Sequence, residues 1–110
     1  MRLWPLTCLA LFGCATTTHV VRFSPTTYES KPGSSPVQLY SAQLPSCPFE
    51  EIGLVKARRE YNIVPNAAVV DALRDKAREL GGDALVGVSF VSDDDLAGTV
   101  IRFKQDDCRH

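Results

Sequence analysis

From residue 37 onward, the alternation of apolar and polar positions predicts two strands, a helix and two more strands. Val37-Gln38-Leu39-Tyr40 switches character at each step, the period of a half-buried strand. A turn-rich stretch through Pro45, Ser46, Cys47 and Pro48 separates it from a second run, Glu51 to Arg58, in which Gly53 marks a bulge or a close backbone approach. The period then lengthens: Val70, Leu73, Ala77 and Leu80 recur at steps of three and four, one apolar stripe on a helix, with Asp71, Arg74, Asp75, Arg78 and Glu79 on the other side as a solvated face. Asn66 after Pro65 is the expected N-cap, and Gly81-Gly82 ends the helix because glycine accepts the left-handed conformation without steric cost. Ala84 to Phe90 contains few polar residues and reads as a well-buried strand. Ser92-Asp93-Asp94-Asp95 makes a polar turn, after which Thr99 to Phe103 returns as its partner. The sum is a small α+β domain, β-β-α-β-β over 37–110, with the helix stripe packed on an antiparallel sheet.

The N-terminal third has a different pattern. Arg2 precedes an apolar run containing Leu3, Trp4, Leu6, Leu9, Ala10, Leu11 and Phe12, which is of signal-peptide length and too short to span a bilayer as a helix. The run closes as Leu11-Phe12-Gly13-Cys14, which resembles the lipobox of bacterial lipoproteins, with Pro5 and the bulky Phe12 as departures. That resemblance implies a signal peptide at 1–13 and a lipidated Cys14 as the mature N-terminus, carrying diacylglycerol and a palmitate-type acyl chain. At roughly 0.8 kcal/mol per buried CH₂, several chains hold a protein to a membrane far more firmly than one. Ala15, where enterobacterial inner-membrane lipoproteins carry aspartate, points to the cell outer membrane, facing periplasm or surface.

From Cys14 to Pro36 the chain is rich in threonine, serine and proline, a composition that predicts a flexible polar tether spanning about 25 Å. His19-Val20-Val21-Arg22-Phe23 interrupts it and predicts an edge strand or a segment resting on the domain.

Charge removes one class of partner. Twelve basic and thirteen acidic residues give −1, and cleavage before Cys14 removes Arg2. Nucleic-acid binding has no electrostatic footprint here. The candidate chemistry reduces to cysteines and histidines. With Cys8 in the signal and Cys14 lipidated, Cys47 and Cys108 remain, an even pair expected to form a disulfide in an oxidising compartment. The alternative use of those sulfurs is a soft-metal site with His110 and His19, although Cys108-Arg109-His110 lacks the usual structural zinc spacing. Asp93-Asp94-Asp95 lacks the ligand spacing and the glycine of a calcium loop. No nucleophile, base and orienting group stand together, and Gly81-Gly82 follows a helix where a phosphate cradle would precede one. No catalytic residue, cofactor, metal or small-molecule substrate is therefore expected.

The stretches Val37 to Tyr40, Pro48 to Gly53 and Ala72 to Val86 resemble the RcsF-like outer-membrane lipoprotein family, and Lys76 to Val88 is also similar to the YbjQ-like family described as heavy-metal-binding. The first resemblance implies a non-enzymatic interaction or stress-sensing module that contacts an envelope protein partner; the second implies a periplasm-facing metal-binding protein. RcsF-like domains carry four cysteines in two bridges, whereas this domain has Cys47 and Cys108 alone.

Overall fold

The computed structural model describes residues 16–23, 25–105 and 108. Among these, β1 (Thr16–Arg22), β2 (Gln38–Tyr40), β3 (Phe49–Arg59), β4 (Ala84–Phe90) and β5 (Asp95–Phe103) form one sheet in the order β1-β3-β5-β4-β2. One face of it carries the helix α1 (Asn66–Glu79). The α+β class expected from the patterning is the class the chain adopts.

Burial of α1 explains its position. Val69, Leu73 and Ala77 form a row at four-residue steps and are fully buried, while Val70 and Leu80, expected in the stripe, flank it half-buried. The sheet answers with Val55 and Ala57 of β3, Leu85 and Val88 of β4, and Leu96 and Val100 of β5. The helix start differs from expectation. Pro65 is the N-cap, with no side-chain cap bond, and Asn66 is the first helical residue, its Oδ1 accepting instead from Arg59 at 2.5 Å. The end is as predicted: Gly81 takes φ +80°, the Gly81 N–H donates to Arg78 O at 3.0 Å, and the Gly82 N–H donates to Ala77 O at 2.8 Å. These two bonds form a Schellman motif that satisfies the last carbonyls. Gly53 is also accounted for. The register shifts between Glu51 and Gly53, and a Cβ at Gly53 would lie 2.7 Å from the Val21 carbonyl oxygen.

The expected flexible tether is corrected over its described part. Thr16–Arg22 is a full edge strand paired antiparallel with β3 from Thr16↔Arg59 to Arg22↔Gly53. Alternation rather than composition decides this: Thr16, Thr18 and Val20 are half-buried, and Thr17, His19 and Val21 are exposed. Threonine is β-branched and suits such a half-wet edge. The segment that follows lies as a strap along α1. The Arg78 Nε donates to Ser35 O at 2.6 Å, the Arg74 Nε to Val37 O at 3.2 Å, and the Lys31 N–H to Arg78 O at 2.8 Å. Folded structure thus begins at least as early as Thr16, well before residue 37.

The sheet is mixed rather than purely antiparallel. β2 pairs parallel to β4 through Gln38↔Ala84, Leu39↔Leu85 and Tyr40↔Val86, so β2 and β3 run in the same direction. Parallel strands cannot be joined by a tight hairpin. The 41–48 connection therefore climbs back over the face opposite the helix, where a second small core collects: Ala84, Val86, Ile101, Phe103 and Cys108 buried, with Tyr40, Cys47 and Phe49 against them.

Candidate interaction surface

The two edges of this second face differ. Near β2 it is closed by the Cys47–Cys108 disulfide, which joins residues 61 apart in sequence with a Cα separation of 6.2 Å, inside the range such a bridge allows. The pairing expected from cysteine arithmetic is the one found. Near β1 the face is open. Register places Val21 opposite Leu54 and His19 opposite Lys56, with Ala97 of β5 beside Lys56. Together they line a groove of about 320 Å³. Its floor is apolar, its one fixed charge is the Lys56 ammonium, and its lining includes no hydroxyl or thiol nucleophile.

Beside the groove runs the outer edge of β1, the terminal strand of the sheet. A seven-residue edge, TTTHVVR, has no proline and its one charge of fixed sign, Arg22, stands at its end. Such an edge offers a row of main-chain donors and acceptors to an added strand.

Two acidic side chains order the ends of this sheet. At one end the Asp95 Oδ2 accepts from the Ser92 hydroxyl at 2.9 Å and from Arg58 at 3.0 Å, while the Ser92 oxygen accepts the Asp95 N–H at 3.1 Å. The hydrogen bond from Ser92, then the charges of Arg58 and Lys56, hold the Asp95 carboxyl below its ordinary range against the opposing effect of burial. Stability from this group is present above the unfolded carboxyl pKa and is lost as pH falls through the lower folded value. Asp95→Asn should therefore flatten the acid limb of a pH–urea stability profile; an unchanged limb would exclude this assignment. At the other end the Tyr28 hydroxyl donates to Glu50 Oε2 at 2.7 Å, and the Arg102 guanidinium lies 4.6 Å from the Tyr28 ring centroid. The bond to Glu50 raises the Tyr28 pKa.

Of the residues singled out in the sequence, Cys14 and His110 lie outside the described residues. Cys47 and Cys108 are joined to each other, and His19 is on the groove, away from both. Asp93 and Asp94 sit in the β4–β5 turn, where Asp94 pairs with Arg59 at 3.6 Å. Among the described residues no cluster of three metal-ligating side chains occurs, and no helix is long and apolar enough to cross a membrane. The groove was not visible in the sequence. Val21 and Leu54 each read as ordinary strand residues, and only the β1–β3 register brings them together.

No family model matches the chain, and no curated protein matches its sequence. At the level of structure the chain is similar to a Francisella virulence factor, FvfA, with TM-score 0.56 and 10% identity over 82% of this chain and 99% of that one. That likeness is one of fold.

Proposed function

We propose that this protein is a lipoprotein of the outer membrane whose domain is a non-enzymatic interaction or stress-sensing module, held by lipid on Cys14 and engaging an envelope protein partner. The observation that carries the reading is the β1 edge, which no strand covers among the described residues, bordering an apolar groove, at the end of a chain segment that begins beside the lipobox cysteine. Edge and groove together suit an extended partner segment: main-chain bonds give affinity, and alternate side chains enter the groove. An apolar residue would meet Val21 and Leu54, and an acidic neighbour would meet Lys56. The Cys47–Cys108 bridge supports a compartment outside the reducing cytoplasm. The RcsF-like resemblance supports signalling by contact; the name of the Francisella neighbour adds no mechanism.

Two measurements test this. Intact mass of protein extracted from membranes should show a chain starting at Cys14, acylated, and about two daltons lighter than its reduced form, as one disulfide requires. A photo-crosslinking residue at Val21 should capture a discrete envelope protein that the same residue at Asp71, on the outer face of α1, does not. A chain still carrying Met1–Gly13 in the cytosol, or equal labelling from both positions, would end the proposal.

A further inference from the structure

The chain leaves almost no length between the proposed lipid and the sheet. Thr16 is already in β1, paired with Arg59, and only Ala15 separates it from Cys14. Two residues reach at most about 7 Å. The end of the sheet that carries Thr16 is therefore the end nearest the lipid, and it also carries the β3–α1 loop and the β4–β5 turn.

That end has an unusual surface. Tyr61 is 58% exposed, Ile63 90% and Val91 61%, with Phe90 exposed beside them. These are four of the eight large apolar side chains exposed among the described residues, gathered in two neighbouring loops and the last residue of β4. A mobile loop could bury such residues against its own domain, but these loops are pinned. The Arg59 guanidinium donates to Val64 O at 2.6 Å on the first loop and to Asn66 Oδ1 at 2.5 Å at the start of α1 where that loop ends, and to Asp93 O at 3.1 Å on the second. It also lies 5.7 Å from the Phe90 ring centroid, and the Arg59 N–H donates to Asp94 O at 2.9 Å. Thr17 adds a bond to Glu60 Oε2 at 2.8 Å. The result is a fixed platform that presents its apolar groups outward.

We propose that this platform is a membrane-seating surface: Ile63 and Val91, flanked by Tyr61 and Phe90, enter the headgroup region of the bilayer that holds the lipid on Cys14. The inference rests on that lipidation. The sheet then stands with β1 rising from the membrane, and the groove of His19, Val21, Leu54 and Lys56 is held three to five residues above Thr16, roughly 10–17 Å along the strand. Charge defines the type of contact. Glu60, Asp93 and Asp94 fringe the platform and Arg59 is engaged within it, so anionic headgroups gain nothing and insertion is driven by apolar area.

The chain has one tryptophan, Trp4, inside the proposed signal peptide, so the processed protein provides a dark background for a reporter. Full-length Ile63→Trp and Val91→Trp proteins, expressed with native lipidation and checked by mass, are placed in phosphatidylcholine vesicles containing lipids brominated near the carbonyl or deep in the chain. The expected result is blue-shifted emission quenched several-fold more by the shallow label than at a control Asp71→Trp, consistent with burial of about 5–10 Å at the headgroup boundary. The quenching should be unchanged when phosphatidylglycerol is added. Lipidated, vesicle-bound protein whose tryptophan at 63 and 91 remains water-like overturns the seating while leaving the anchor intact. Unlipidated protein in the mass spectrum overturns the anchor itself.

Discussion

Replacing both Cys47 and Cys108 by serine should lower the unfolding free energy by about 4 kcal/mol, the chain-entropy value for closing a loop of 61 residues. The bridge acts where the fold has little else. Cys108 follows β5 in a short turn, tied back among the described residues by its own N–H to Gln105 O at 3.2 Å and by the Lys104 N–H to Pro48 O at 3.1 Å. Opening the bridge lets the 41–48 connection and this turn separate, and Ile101 and Phe103 lose their cover. The main core under α1 does not touch the sulfurs, so the reduced domain should keep its helix signal while its urea midpoint falls. The comparison is urea unfolding of the wild-type chain with and without reductant, beside the double serine variant. A loss below about 1 kcal/mol in both would mean that the denatured chain is already constrained by other means.

The sequence made the middle of the domain legible and its edges obscure, for identifiable reasons. α1 and β4 are bounded by strong punctuation, Gly81-Gly82 and the Ser92–Asp95 turn, and their apolar periods match a single buried face or a two-sided core position. β4 is found over Ala84–Phe90 as expected, and β5 extends the expected Thr99–Phe103 back to Asp95, whose carboxylate is used by the turn. β1 was legible only from His19 to Arg22, because Thr16, Thr17 and Thr18 are polar by composition yet serve one half-buried and one wet side of an edge strand. The strap was not legible at all. It has no period, since side chains of α1 hold it by its carbonyls; Arg74 and Arg78, read as a solvated face, also pair with Asp71 and Asp75 while reaching across to it. Strand direction is equally absent from periodicity, which is why the parallel β2–β4 pair differs from the expected antiparallel sheet. For the site, cysteine counting found the bridge, whereas the groove and the platform depend on register and on Arg59, which no local pattern singles out.

Asp83→Ala should cost about 3 kcal/mol, because one carboxylate ties both the strap and β5 to the residue that precedes β4. Asp83 is 7% exposed and comes directly after the helix-ending glycines. Its Oδ2 accepts the Phe103 N–H at 2.8 Å, its Oδ1 pairs with the Lys31 ammonium of the strap, and its own N–H donates to Ile101 O at 2.8 Å. Alanine keeps only the last of these, so a buried N–H on β5 loses its carboxylate and a mostly covered ammonium loses its counter-charge. Either loss alone is on the order of 1–3 kcal/mol. Asp83→Asn keeps an acceptor for Phe103 and should cost less, and Lys31→Met tests the ion pair from the other side. If the pair matters, Asp83→Asn and Lys31→Met combined will destabilise by less than the two added separately, and the shortfall measures the coupling. Hydrogen exchange gives a readout that overall stability does not. The Lys31 N–H, bonded to Arg78 O at 2.8 Å, should lose protection in Asp83→Ala before the Leu73 and Ala77 amides of the helix do, because the strap is held by polar contacts and the helix by its buried row. Equal loss at all three positions would mean that strap and helix open as one unit, and Asp83 would then be a general determinant of stability rather than the clasp of the strap.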